Sequence, residues 1–159
     1  MKRLPSLAAA LALLFTVGLY AADEIKLDDV KCIMNPKAGA KADKFVEFKD
    51  GMVFFCCENC PKGFAAKVEA GDKLVIAKGN RQLIQTGQAV QAKCPFTGGP
   101  LKTELVVDGA KIQFCCNNCL GKAKALEGEE QLTALFGDEA FKKAEFKVGE
   151  GEKGVEKEK

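Results

Sequence analysis

The sequence predicts a small α+β fold made of two tandem, cysteine-rich β-hairpin-plus-helix units with a short helical C-terminal extension. Three observations carry this prediction. The eight cysteines fall into two sets of one plan, Cys32 with Cys56, Cys57 and Cys60, and Cys94 with Cys115, Cys116 and Cys119. Repetition at this scale marks a duplicated structural unit. Each "FCCxNC" cluster is preceded by two β-prone runs, "KFVEFKDGMVFFCC" about Asp50-Gly51 and "TELVVDGAKIQFCC" about Asp108-Gly109. Asp-Gly between such runs signals a hairpin, because a type I′ turn needs positive φ at both central residues. Each cluster then enters helix-prone sequence, "PKGFAAKVEAG" after Cys60 and "LGKAKALEG" after Cys119. Every unit therefore reads as lone cysteine, hairpin, cluster, helix.

The elements follow in chain order. Lys2 and Arg3 precede "LPSLAAALALLFTVGLYAA", which carries no charge until Asp23. That is the layout of a secretory signal peptide over residues 1–21. A membrane anchor competes, but a span needs about 20 strongly apolar residues, and this stretch contains Pro5, Ser6, Thr16 and Gly18. Cleavage after Ala21 or Ala22 leaves a mature chain of about 137 residues. No cysteine lies near the cut, which argues against a lipid-anchored precursor. The expected location is periplasmic or extracellular, with no membrane attachment after cleavage.

The first unit is expected over residues 22–78 and the second over 79–128. Residues 72–93, "DKLVIAKGNRQLIQTGQAVQAK", join them, with strand-like "QLIQ" and "AVQA" about Thr86-Gly87. They read as a linker hairpin or an extension of the second sheet. "EEQLTALFGDEAFKKAEF" suggests two short helices separated by Gly137, with Asp138 as an N-cap, inside a helical extension over 129–147. From Val148 the chain is mostly Gly, Glu and Lys, and residues 148–159 read as a disordered charged tail. The Phe residues at 45, 48, 54, 55, 64, 96 and 114 are most simply core.

Composition excludes several functions. Lys and Arg number 24 against 22 acidic residues, and removal of Lys2 and Arg3 balances the two. Such a chain offers no electrostatic case for nucleic acid or an anionic membrane. There is no histidine, which rules out Cys/His zinc sites and His-based catalysis. No phosphate loop, catalytic carboxylate pair or nucleophile–base constellation appears. The expectation is a binder or carrier, not an enzyme.

The cysteines carry the chemistry. An exported chain with an even cysteine count suggests a disulfide framework. Adjacent cysteines, however, do not readily bridge each other, and distant pairing must satisfy strict Cα separations. Metal binding explains more of the pattern, because a soft ion needs several thiolates converging on one point. Cysteines at a strand end running into a helix start bring two sulfurs within reach of one ion. The helix N-terminus favours the thiolate form, and the lone cysteine closes the site from the other side. Cys32, Cys56 and Cys60 would serve one ion, and Cys94, Cys115 and Cys119 another. Cys57 and Cys116 are either fourth ligands or reserve and exchange thiols. Three sulfurs without imidazole suit Cu(I), and a complete four-sulfur site suits Zn(II). Met34 and Met52 could add thioether ligation, although packing is the simpler role for each.

The pattern of a lone cysteine, a gap of about 20 and C-x3-C after an aromatic resembles the YHS/TRASH type of heavy-metal-binding domain. The resemblance rests on Cys32 with "FFCCENCPKGF" and Cys94 with "QFCCNNCLGKA", across roughly residues 32–70 and 94–127. It implies two treble-clef-like units in an exported bacterial protein. The implied ligands are Cys32, Cys56, Cys60, Cys94, Cys115 and Cys119, with a role in metal sensing, trafficking or resistance beside copper-handling proteins such as an exporter. The family's opening "CPV-x-G" is partly kept as "CPFTG" at 94–98 and departs to "CIMNP" at 32–36. The gap before the cluster is 23 residues in the first copy and 20 in the second.

Two rivals come from other classes. "CENC" and "CNNC" have the C-x-x-C spacing of a thiol–disulfide oxidoreductase, which would ordinarily sit on a βαβ frame. Units of some 40 residues also rarely hold together by burial alone. A protein-interaction module stapled by structural zinc or disulfides is therefore the second rival.

Overall fold

The computed structural model describes residues 25–149. The expected signal peptide and all but the first two residues of the expected tail lie outside them. The first hairpin pairs β1 (Lys41–Phe48) with β2 (Gly51–Phe55), and α1 (Asn59–Glu69) follows. The second pairs β4 (Thr103–Val107) with β5 (Ala110–Phe114), followed by α3 (Asn117–Ala125). Both strand pairs are antiparallel. The expected order of hairpin, cluster and helix thus recurs, and the chain is a small α+β protein.

The two hairpins turn differently. In the second, Val107 faces Ala110, and Asp108 and Gly109 take φ of 46° and 82°. In the first, Phe48 faces Gly51, so Lys49 and Asp50 make the turn, with φ of 51° and 64°. The expected pivot at Asp50-Gly51 is therefore displaced by one residue. Gly51 has another duty. A Cβ there would stand 2.8 Å from Leu83 Cδ2 and 2.9 Å from Val148 Cγ1, closer than packed carbons allow. Gly51→Ala is expected to destabilise the protein by about 1–3 kcal/mol, the usual cost of overpacking, measured by denaturant unfolding.

The unequal gaps also have a structural origin. Lys41 faces Phe55 and Phe45 faces Phe54, so four residues advance along β1 against one along β2. The three surplus residues bulge out of the first hairpin and account for the longer first gap. The bulge carries Lys44, whose Nζ lies 2.9 Å from Glu58 Oε1 in the first cluster. Beyond it Phe45 is 47% exposed, against the expectation of a core residue.

The largest departure is the segment between the two hairpins. Residues 73–85 are not strand-like: Lys73–Gln85 form one helix, α2. Asp72 caps it, its Oδ1 accepting from the N–H groups of Leu74 and Val75 at 3.1 Å each, which satisfies amides the first turn leaves unpaired. The helix runs through residues 78 and 79, where the sequence divides the units, and it is buried on several sides. Val75 and Leu83 enter a core with Phe48, Val53, Phe55 and Phe64. Ala77 enters a second core with Ile112, Phe114, Leu135 and Phe136. One buried helix therefore joins both hairpins.

Three successive side chains of α2 bind three different parts of the chain. Asn80 Nδ2 donates to Phe136 O at 2.7 Å. Arg81 Nη1 donates to Asp108 O in the second hairpin turn. Gln82 accepts from Phe54 N at 2.6 Å and donates to Phe54 O and Lys31 O. Burying such groups is tolerable where partners replace lost water, as for both amide atoms of Gln82, whereas Asn80 Oδ1 and Arg81 Nε are buried without a partner.

The C-terminal part forms α4 (Gly128–Phe136) and α5 (Asp138–Lys143). Gly137, not Asp138, is the N-cap of α5. Asp138 instead pairs with Lys49, whose Nζ also lies 4.8 Å from the Phe141 ring centre. Of "AVQA", β3 (Ala89–Val90) is extended, and it pairs with β6 (Lys147–Val148). Val148, expected to begin the disordered tail, therefore belongs to the fold. Among the described residues no helix is long and apolar enough to cross a membrane.

Candidate metal centres

Each candidate centre assembles from a loop, a strand end and a helix start. In the first, the loop after Cys32 closes on itself: Cys32 N donates to Ala38 O at 3.0 Å and Asn35 N to Cys32 O at 3.2 Å. In the second, Cys94 N donates to Gly99 O and Gly98 N to Cys94 O, at 2.9 and 2.8 Å. Gly98 has φ of 73°, a conformation that glycine adopts without a Cβ clash. These tight loops turn the lone cysteine inward, and both Cys32 and Cys94 are fully buried.

Strands β2 and β5 end at Phe55 and Phe114, immediately before the doubled cysteines. Their partner thiols Cys60 and Cys119 sit in the first turns of α1 and α3. Side-chain amides hold the outer edges of both strands. Gln88 accepts from Met52 N and donates to Met52 O, each at 2.7 Å. Gln82 does the same at Phe54, and Gln91 at Gln113, at 2.7 and 2.8 Å. Glutamine amides here stand in for a neighbouring strand and fix the approach to each cluster.

The sulfurs of Cys32, Cys56 and Cys60 all lie within 4.8 Å of one another, as do those of Cys94, Cys115 and Cys119. All six expected ligands are thus brought together in two sets of three. Cys56 and Cys60 are 3.8 Å apart, and Cys115 and Cys119 3.6 Å. Thiolates at about 2.3 Å from a tetrahedral ion stand about 3.8 Å from each other, so the residues fit an ion with little movement. All eight cysteines are free. Cys57 and Cys116 are exposed and lie at the rims, outside both sets.

The loop position two residues after the lone cysteine differs between the copies. It is Met34 in the first, packed against the core that contains Cys32. Phe96 takes its place in the second, stacked 5.8 Å from Phe114. Met52, the other candidate thioether, lies in β2 among the residues facing Glu47. Sequence reasoning missed Thr97, whose Oγ1 is 3.1 Å from Cys115 Sγ. Its place within "CPFTG" was the available signal.

Electrostatics divide the thiols. Burial opposes ionisation of Cys94, but the N–H groups of Cys115, Thr97 and Phe96 and the Thr97 hydroxyl donate to its sulfur and bring its pKa to about 6. Burial likewise opposes ionisation of Cys32, and N–H groups of Cys56, Met34 and Asn35 hold it below the ordinary thiol value. Cys57 falls to about 7 through the Cys60 N–H, the Cys60 thiol and the Asn59 N–H. Cys116 is lowered for the corresponding reason, led by the Cys119 N–H. Burial and the neighbouring thiols push Cys60 and Cys56 up, and Cys119 up to about 12. In each cluster the lone cysteine therefore ionises more readily than the helix cysteine. Clustered thiolates repel one another, and a bound cation removes that repulsion and displaces the protons.

No protein-family model, curated protein or solved structure matches the chain.

Proposed function

We propose that this protein is an exported metal carrier that captures a soft transition-metal ion, Cu(I) or Zn(II), at each three-cysteine cluster. The observation that carries this reading is the convergence of two equivalent sets of three sulfurs, each within 4.8 Å. Three thiolates without imidazole favour Cu(I), and Zn(II) would add a fourth ligand from water or the doubled cysteine. The YHS/TRASH resemblance of the cysteine pattern supports the same reading, with a role in metal trafficking, sensing or resistance. Its partners would be the ion and a metal exporter or other metal-handling protein, reached in the periplasm or outside the cell. No substrate is transformed: thiolates bind the ion and ligand exchange releases it.

Elemental analysis of the purified, reduced and metal-supplemented chain tests this directly. Two ions per chain are expected for the wild type and one for Cys94→Ser. A wild type that retains no ion after gel filtration would overturn the reading. The carrier role, as distinct from structural zinc, requires that a competing chelator remove the ions while far-UV circular dichroism stays unchanged.

A further inference from the structure

The two clusters treat their surplus cysteine differently. In the first, Cys57 Sγ lies 3.4 Å from Cys60 Sγ, nearer than Cys56 does at 3.8 Å. In the second, Cys116 Sγ lies 3.7 Å from Cys115, its chain neighbour, and shares its contact between that thiol and the buried Cys119 thiol. The backbone shows the same contrast. Cys116 is itself the extended N-cap of α3, with φ of −162° and ψ of 168°. At the first cluster the cap is Glu58, already in helical conformation at φ −70° and ψ −19°. Cys57 therefore precedes the cap and faces the first helical turn. Access differs too: Cys60 is half-buried, whereas Cys119 is buried at 4% exposure.

We propose that Cys57 and Cys60 are a thiol–disulfide exchange pair which a small-molecule disulfide oxidises, and that closing this bond discharges the first cluster while the second keeps its ion. The discharge rests on the metal reading above; the exchange does not. A disulfide bond is about 2.0 Å long, so the two sulfurs must close by about 1.4 Å. A bond between the adjacent residues Cys115 and Cys116 would instead strain the peptide between them.

The exchange balances in two steps. The exposed Cys57 thiolate attacks one sulfur of the incoming disulfide, whose S–S bond breaks and releases one small thiolate. Cys60 Sγ, passing its proton to the departing thiolate or leaving the ion if one is bound, then attacks Cys57 Sγ and expels the second small thiol. Two electrons pass from the protein dithiol to the reagent, which becomes two thiols. Their protons come from the protein thiols, or from solvent where Cys60 was on the ion. Cys60 can no longer ligate, and Cys32 and Cys56 are left as a weak two-sulfur site.

The test adds oxidised glutathione to the full chain, both loaded with Cu(I), which needs only the three-sulfur sets that exclude Cys57, and metal-free. A chromogenic chelator reads the released ion, and peptide mapping by mass spectrometry reads the linkage. The loaded wild type is expected to lose one of its two ions and to yield a Cys57–Cys60 peptide. Cys57→Ser should start with two ions and release the first at least tenfold more slowly, and Cys116→Ser should behave as wild type. Equal release from both clusters, or an unchanged rate in Cys57→Ser, would overturn the discharge. Absence of the Cys57–Cys60 peptide from the metal-free chain would overturn the exchange itself. A chain that binds no ion but still forms this linkage removes the carrier reading and leaves the exchange pair standing.

Discussion

Phe64→Ala is expected to cost about 3–5 kcal/mol, the range for removing a buried aromatic ring, read from denaturant unfolding. Circular dichroism is the suitable probe, since the chain has no Trp. Phe64 is 1% exposed. Its ring meets Phe48 edge-on at 5.3 Å between centres and Phe55 at 5.4 Å. Gly79 of α2 lies close against it: a Cβ there would be 3.1 Å from Phe64 Cζ. The ring therefore locks α1, the first hairpin and α2 together. Domains of this size have total stabilities of roughly 5–15 kcal/mol, so the loss is a large fraction of the whole. Phe64 lies one turn beyond Cys60, and the first cluster should weaken more than the second, whose core is separate. Equal weakening of both centres would contradict this assignment of the cores.

Gln82→Met is expected to cost about 3 kcal/mol although it nearly preserves volume. It removes the partners of Phe54 N, Phe54 O and Lys31 O. A buried polar group left without a partner costs about 1–3 kcal/mol, and partial solvation of the Lys31 carbonyl limits the total. On the metal-binding reading, the same change should act on the first cluster. Phe54 leads through Phe55 into Cys56, and Lys31 precedes Cys32, so the one amide aligns both approaches to the first candidate site. First-centre affinity should fall about tenfold, equivalent to about 1.4 kcal/mol, while the second centre is unchanged. Competitive titration with a chelator separates the two. A stability loss without any affinity difference between the centres would assign Gln82 a purely structural role.

Much of the molecule was legible in the chain. The repeated cysteine plan located both clusters, and β-prone runs about Asp-Gly located both hairpins. The hairpin turns were less certain ground. Asp108-Gly109 turned as its sequence implies, but Gly51 was needed where Leu83 and Val148 approach, and the turn moved to Lys49-Asp50. A dipeptide signal specifies a conformational preference, and a packing requirement of a few kcal/mol can outweigh it.

Helix α2 shows why the remainder was not legible. Val75, Ile76 and Ile84 are β-branched, and Gly79 and Asn80 are poor helix formers, so local propensity pointed away from a helix. Those residues answer to partners distant in sequence. Gly79 admits the rings of Phe48 and Phe64, and Asn80, Arg81 and Gln82 bond to three separate segments. The Asp72 cap was the one local sign of the helix.

The sequence by itself determined which sulfurs gather, because spacing and strand-to-helix order are local properties of the chain. Only the three-dimensional structure decided how the two hairpins are joined and how closely Cys57 approaches Cys60. The first depends on a buried helix shared by two cores and fixed by contacts between residues far apart in the sequence, and the second on the backbone conformation in which each cluster helix begins.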